Sequence, residues 1–121
     1  MKRKIAVVED DPAIGPMIER ILSMEGFDVT VVRDGNRALP TLMADRFGAV
    51  VLDVMLPGKD GISILRELRT SPTTENLPVV MLTARADDSS TWEGWRAGAN
   101  YYLTKPFDPE ELVRVLRSVL A

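Results

Sequence analysis

Residues 4–12, KIAVVEDDP, decide the fold class because an apolar run ends abruptly in three adjacent carboxylates. A short strand that is apolar on both faces is typical of a parallel sheet covered from both sides. Glu9, Asp10 and Asp11 then crowd like charges together, which is costly unless a cation, water or hydrogen bonds relieve the repulsion. What these acids do depends on the groups that other segments bring to the same place.

The same pattern recurs along the chain, in which five predicted strands alternate with five predicted helices. The strands are expected at residues 4–8, 28–32, 49–53, 77–83 and 101–104, each followed by a segment with helical periodicity. Pro40, near the start of the second helix, predicts a late start or a kink there. The alternation predicts a doubly wound (βα)5 fold of the α/β class, with a five-stranded parallel sheet and helices on both faces. We expect residues 1–121 to form a single domain.

Composition excludes several kinds of site. The chain of 121 residues contains no cysteine and no histidine, so disulfides, thiolate or imidazole metal sites and a histidine base are impossible on it. Any metal must be held by oxygen ligands, which favours Mg²⁺, Ca²⁺ or Mn²⁺. The net charge of -3 gives no indication of binding to nucleic acid or to a membrane. The first apolar run is too short for a signal peptide, and a cytoplasmic protein is the simplest expectation.

Polar groups collect at the predicted carboxyl ends of the strands, where ligands bind in open α/β sheets. Glu9 and Asp10 follow the first strand, Asp53 ends the third, Thr83 ends the fourth and Lys105 follows the fifth. Each residue alone is usually a helix cap, a turn residue or a solvated side chain. Together they predict an oxygen-ligand cation site beside an ammonium group. This arrangement suits phosphoryl transfer onto a carboxylate, a nucleophile that needs no general base.

Four motifs occur in order over the whole chain: VVEDDP (7–12), VVLDVMLPGKDG (50–61), VVMLTA (79–84) and YYLTKPF (101–107). With them the sequence resembles a response-regulator receiver domain of two-component signalling, similar to the chemotaxis regulators. The resemblance implies a flavodoxin-like fold and Mg²⁺-dependent phosphoryl transfer from a phosphohistidine of a sensor histidine kinase or phosphotransfer protein. That histidine must lie outside these residues. A receiver domain catalyses only its own phosphorylation and dephosphorylation, so no external substrate is expected.

The resemblance assigns a role to each matching position. Asp53 matches the aspartate that accepts the phosphoryl group, and Glu9 and Asp10 match the acidic pair. The resemblance implies that Asp10 binds Mg²⁺ directly together with Asp53, while Glu9 acts directly or through water. The backbone carbonyl of Met55 matches a further metal ligand. Lys105 matches the lysine that pairs first with the acids and then with the phosphoryl group.

Further positions match the family's switch. Thr83 matches the switch hydroxyl, and Tyr102 matches the aromatic side chain that turns inward when Thr83 moves. Tyr101 is the weaker candidate because strand alternation points it to the other face. Asp11 is interpreted as a helix cap. The Lys105–Pro106 peptide bond is expected to be cis.

The family's usual output surface is formed by the fourth helix, the fifth strand and the fifth helix. Two tryptophans lie three residues apart on the predicted fourth helix and therefore share a face. A partner-binding patch, serving a phosphorylation-dependent dimer or an effector, is predicted at Trp92, Trp95, Tyr102 and Val113. Direct contact of this domain with nucleic acid is not expected. The acid pair that the DNA-binding branch of the family carries before the switch aromatic is replaced here by Asn100 and Tyr101.

Three other classes of function would require different sequence features from those of a phosphorylation switch. A receiver-like docking module that works without phosphorylation is the main alternative, although all five site residues argue against it. An aspartate-nucleophile phosphatase of the haloacid dehalogenase type would need two acids spaced by one residue at the first strand. A nucleotide-binding domain would need a glycine-rich motif after that strand. The sequence leaves open the kinase, the signal, the output and whether the chain stands alone or belongs to a longer protein.

Overall fold

The computed structural model of the chain describes residues 3–84 and 95–121. The strands are β1 (Lys4–Val8), β2 (Asp28–Val32), β3 (Ala49–Asp53), β4 (Val79–Thr83) and β5 (Tyr101–Thr104). The helices are α1 (Ile14–Met24), α2 (Gly35–Ala44), α3 (Gly61–Thr70) and α5 (Pro109–Leu120), and residues 95–97 are the described part of α4. All strands are parallel and their order is β2-β1-β3-β4-β5. The predicted α/β architecture is confirmed.

Helices cover both faces of the sheet, which explains why its central strands are apolar throughout. Every residue of β3 and β4 is buried, whereas the edge strands β2 and β5 alternate between exposed and covered positions. Consecutive strand residues belong to opposite cores: Val8 and Leu52 pack towards α2 and α3, and Val7 and Val51 pack towards α1 and α5. The polar groups that end the central strands are therefore mounted on the most enclosed part of the molecule.

An aspartate side chain accepts a hydrogen bond from the first backbone N–H groups of each helix whose start is described. The four residues are Asp11, Asp34, Asp60 and Asp108. Asp11 Oδ1 accepts from Ala13 N at 2.8 Å and from Ile14 N at 3.1 Å, so its predicted role as a cap is confirmed. These two bonds hold the pKa of Asp11 below its usual value. Asp11 is therefore occupied by the helix and is set apart from the two acids that precede it.

Two element boundaries differ from the sequence-based expectation. α2 begins at Gly35 and runs through Pro40, so a late start is excluded; the Asp34 cap fixes the beginning of the helix. β4 begins at Val79 rather than Leu77, because Leu77 N donates to Thr74 O in a turn. Within residues 3–84 and 95–121, none of the helices has the length and apolar character needed to cross a bilayer. The cytoplasmic location stays a prediction.

Candidate functional site

The strand register brings the predicted site residues together at the carboxyl ends of the strands. Val8 lies opposite Leu52, so Glu9 and Asp53 follow side by side at the ends of β1 and β3. Asp53 lies opposite Leu82, and Thr83 comes next on β4. Lys105 follows β5 and its backbone N–H donates to Thr83 O at 2.7 Å. The three central strands and the edge strand β5 thus converge on one place.

Lys105 joins two buried acids in an ion triad. Its Nζ atom lies 2.7 Å from Glu9 Oε1 and 2.9 Å from Asp53 Oδ2. Both carboxylates are buried, and Glu9 is wholly inaccessible to solvent. The Lys105–Pro106 bond is cis, as expected from the resemblance. The second oxygen of Asp53, Oδ1, accepts the backbone N–H of Met55 at 3.1 Å, which ties the following loop to the same carboxylate.

Burial and like charge act on the protonation of this triad. Burial, followed by a hydrogen bond with Asp53, raises the pKa of Glu9 to about 7, although Lys105 opposes both effects. Burial lowers the pKa of Lys105, but the hydrogen bonds and charges of Glu9 and Asp53 outweigh it and hold the pKa above its usual value. The lysine therefore remains an ammonium at neutral pH, and Glu9 holds a proton more tightly than a free glutamic acid does, because its pKa is raised.

The raised pKa of Glu9 predicts an unusual pH dependence of stability when divalent cations are absent. The folded protein retains the Glu9 proton up to about pH 7, whereas the unfolded chain releases it near 4.5. Because the folded state then binds more protons, the contribution of Glu9 to the free energy of unfolding falls as pH rises across this window. Urea unfolding between pH 4.5 and 8 tests this. A Glu9→Gln variant has no proton to release and should lack this contribution; identical pH profiles of the two proteins would contradict the prediction.

The acidic cluster fits a small divalent cation. One oxygen each from Glu9, Asp10 and Asp53 can be chosen so that all lie within 4.8 Å of one another. Glu9 Oε1 is fully buried and lies 2.7 Å from Lys105 Nζ. Mg²⁺ binds oxygen ligands at about 2.0–2.1 Å, so opposite ligands lie about 4.2 Å apart. The span of the cluster and its buried carboxylate oxygen therefore suit such an ion after small side-chain adjustments.

Thr83 and Tyr102 lie on the same side of the sheet. Tyr102 is opposite Met81, two residues before Thr83, and packs against the core formed with α2 and α3. Its ring centroid lies 5.5 Å from that of Trp95, with the planes tilted by 48°. Tyr101 is exposed and alternates to the other face, as predicted. The two candidate switch residues thus lie on one side of the sheet, and Tyr102 contacts the exposed Trp95.

Val113, which is predicted for the partner-binding patch, packs against the core formed with α1 and α5. It lines a groove together with Ile21 of α1 and Glu25, the residue that follows α1. Its membership of the patch stays a prediction. Tyr102 packs in the opposite core. Successive helical residues are rotated by about 100°, and this rotation directs Val113 towards α1. Trp92 lies outside the described residues.

Arg69, which the sequence patterns did not single out, fastens α3 to the beginning of β5. Its guanidinium donates to Gly98 O at 2.8 and 3.1 Å, to Leu77 O at 2.8 Å and to Asn100 Oδ1 at 3.1 Å. Asn100 Oδ1 also accepts the N–H of Val79 at 2.8 Å. Burial lowers the pKa of Arg69, and these bonds all go to uncharged oxygens. Asn100, which departs from the family's acid pair, therefore supplies an uncharged acceptor for Arg69 just before β5.

Replacing Arg69 by alanine is expected to lower the free energy of unfolding by about 2–3 kcal/mol, because several carbonyl groups lose a charged donor in a partly buried place. Urea unfolding at neutral pH measures the change. Arg20→Ala, on the exposed face of α1, is a matched control for which little change is expected. Equal stabilities of the two variants would show that the network contributes nothing measurable.

The sequence model of the response regulator receiver domain matches residues 5–117 of this chain. The chain belongs to the response regulator receiver family. The receiver domain is 42% identical over 120 residues to the DNA-binding response regulator MtrA of Mycolicibacterium smegmatis, a match that covers 99% of this chain and 51% of MtrA. The receiver domain therefore spans about half the length of the curated relatives it matches.

Solved structures agree with this assignment. The receiver domain of the sensor histidine kinase PA1611 from Pseudomonas aeruginosa PAO1 has a TM-score of 0.93 and 36% identity, covering 99% of this chain and 98% of that one. That structure has a magnesium ion coordinated in the active site cleft. The chemotaxis response regulator CheY4 of Vibrio cholerae has a TM-score of 0.93 and 30% identity, covering 98% and 99% of the two chains. The chain is thus a receiver domain of two-component signal transduction with a flavodoxin-like fold.

Proposed function

We propose that this receiver domain is a phosphorylation switch in which Asp53 accepts the phosphoryl group. The observation that carries the proposal is the ion triad, in which Lys105 contacts both Asp53 and the fully buried Glu9. A buried acid pair that shares one ammonium group is costly to maintain for stability alone. The same arrangement provides a nucleophile, a cation site and a positive charge at one point. We propose that residues 1–121 form a single receiver domain of this kind.

The proposed reaction needs no general base. A carboxylate oxygen of Asp53 forms a bond to phosphorus, and the bond from phosphorus to the donor breaks with its electron pair leaving on the donor. The donor is a phosphohistidine of a partner kinase or phosphotransfer protein, or a small acyl phosphate. Lys105 is already 2.9 Å from Asp53 Oδ2 and is positioned to pair with an oxygen of the incoming group. Water later hydrolyses the acyl phosphate, so the domain turns over only its own phosphoryl group.

Mg²⁺ is the proposed cofactor, held by Glu9, Asp10 and Asp53 with the backbone carbonyl of Met55. When bound, it would neutralise charge that develops on the transferred phosphoryl oxygens. One oxygen from each of the three carboxylates lies within 4.8 Å of the other two, which supports this ligand set. Asp11 is excluded from it because its carboxylate caps α1.

The proposed output is a change at the surface formed by α4, β5 and α5. Thr83 would respond to the phosphoryl group, and Tyr102 would follow, since both lie on one side of the sheet. Tyr102 contacts the exposed Trp95, so its movement would alter a surface that a second copy or an effector can read. We propose Trp92, Trp95, Tyr102 and Val113 for this patch. Contact of the domain itself with nucleic acid is not proposed.

Intact mass after incubation with acetyl phosphate tests the proposal. We expect a gain of a single phosphoryl group with Mg²⁺, no gain with a chelator, and loss of the group on treatment with hydroxylamine, which cleaves acyl phosphates. No gain while Mg²⁺ binds would restrict phosphorylation to the kinase. No gain and no Mg²⁺ binding by calorimetry would instead favour the phosphorylation-independent docking module.

A further inference from the structure

The loop that follows Asp53 is held by the beginning of α2 as well as by the site itself. Residues 54–60 connect β3 to α3 and carry the proposed metal ligand Met55. In the middle of this loop Pro57 O accepts the backbone N–H of Gly35, the first residue of α2, at 3.1 Å. Lys59 N donates to the same carbonyl at 3.1 Å. A helix that contributes none of the predicted site residues is therefore bonded directly to the loop.

The contact between Gly35 and the loop is a close approach of two backbones. A Cβ atom on Gly35 would lie less than 3.0 Å from the backbone N, C and O atoms of Lys59, closer than real Cβ atoms come to other atoms. Because the obstructing atoms are backbone, no side-chain rotation can relieve such a clash. Gly58, which lies between Pro57 and Lys59, has a φ of 84°, and its α-carbon faces the side chain of Asn36. Gly35 is thus required by the fit of α2 against the loop and not by its own backbone conformation.

The other end of the loop is fixed against Asp53. Met55 N donates to Asp53 Oδ1 at 3.1 Å, and Gly61 N donates to Val54 O at 3.0 Å. A Cβ atom on Gly61 would also lie less than 3.0 Å from the Asp53 carbonyl oxygen. The loop therefore has little room in which to move, and a displacement at Lys59 has to be taken up within the few residues that lead to Met55.

We propose that Gly35 is a positioning residue for the acceptor site. By allowing α2 to press against Pro57 and Lys59, it holds the loop so that the Met55 N–H remains bonded to Asp53, which would also hold the proposed carbonyl ligand of Met55 in place. This inference deepens the proposed function, on which its metal-binding aspect rests. The hydrogen bond from Met55 to Asp53 is a property of the metal-free protein and can be tested separately.

Gly35→Ala is the variant to measure, with hydrogen exchange of the Met55 amide in the metal-free protein as the main readout. We expect this amide to exchange about tenfold faster or more than in the natural protein, because the loop is pushed away from Asp53. Calorimetric titration with Mg²⁺ is the second readout, and we expect affinity to fall about tenfold, as for other groups that orient metal ligands. If Gly35→Ala does not fold, Asn36→Ala is measured in its place. This variant removes the side chain over Gly58 without a clash, and we expect a smaller increase in exchange of the Met55 amide and a smaller loss of Mg²⁺ affinity.

Gly26→Ala is the matched control. Gly26 has a φ of 93°, and a Cβ atom added there would meet no other atom within 4 Å, so alanine adds backbone strain far from the loop. We expect neither readout to change beyond the effect of overall stability, which amides of β3 report. Equal exchange of the Met55 amide in the Gly35 and Gly26 variants would overturn the proposal. Failure of the natural protein to bind Mg²⁺ would refute the proposed function, while the amide readout would still decide the role of Gly35.

Discussion

An Asp53→Asn variant is expected to gain no phosphoryl group from acetyl phosphate under conditions that phosphorylate the natural protein. The amide lacks the ionised oxygen that attacks phosphorus, so the loss should be complete within detection. The fold should survive, because the asparagine oxygen can still accept the Met55 N–H that Asp53 Oδ1 accepts at 3.1 Å. Intact mass and a thermal unfolding curve of the same sample measure both points.

Asp45→Asn is the control for this variant. Asp45 precedes β3, pairs with Lys4 and is exposed near the amino ends of the strands, whereas Asp53 ends β3. The variant should therefore be phosphorylated like the natural protein. A phosphoryl gain that persists in the Asp53 variant would transfer the acceptor role to another residue. Peptide mapping would then locate that residue, and Asp10 would be the first to examine because it belongs to the same cluster.

Lys105→Met is expected to lower the free energy of unfolding by about 2–3 kcal/mol at pH 8 without divalent cations. The substitution keeps much of the side-chain volume but leaves buried Glu9 and Asp53 without their ammonium partner. Removing one partner of a buried ion pair costs about 3–5 kcal/mol, and proton uptake by Glu9 reduces this cost. Urea unfolding at pH 8 and pH 5 should show the larger loss at pH 8, because at pH 5 a proton can replace the missing cation.

Mg²⁺ provides a further check on this variant. Since the ion would supply positive charge that the lysine no longer does, adding Mg²⁺ should stabilise the Lys105 variant more than the natural protein. Lys4→Met removes an exposed lysine from its pair with Asp45 and should change stability little at either pH. A Lys105 variant that is as stable as the Lys4 variant at pH 8 would show that the triad is not energetically coupled.

Much of the fold and the site could be predicted because the deciding features are local and repeated. β1 is apolar from Ile5 to Val8 and β3 from Ala49 to Leu52, and turns and aspartate caps separate these short strands from the helices. In a parallel sheet, the carboxyl ends of all strands lie on the same side, so the residues that follow them come together. The sequence positions of Glu9 and Lys105 therefore predicted a contact that the structure measures at 2.7 Å.

The features that escaped prediction depend on direction or on contacts between distant segments. Val113 lines a groove with Ile21 of α1, a contact that depends on how α5 packs against a helix far away in the sequence. Arg69 has no local motif, because its acceptors Gly98 and Asn100 lie about 30 residues further along the chain. Gly35 looks like an ordinary residue at the start of a helix, and only the packing of the loop against α2 shows why a side chain is excluded.

The edge position of β5 has an evolutionary consequence. β5 pairs with β4 alone, so substitutions at Tyr101 or Tyr102 do not have to fit a second neighbouring strand. The carboxylates proposed to react, by contrast, extend from β1 and β3, which have a neighbour on each side. The sequence of β5 can therefore diverge and come to bind a new partner protein while the proposed reaction at β1 and β3 stays the same. In a cell with many two-component pathways, this separation would let duplicated receiver domains lose contact with each other's partners and keep their chemistry.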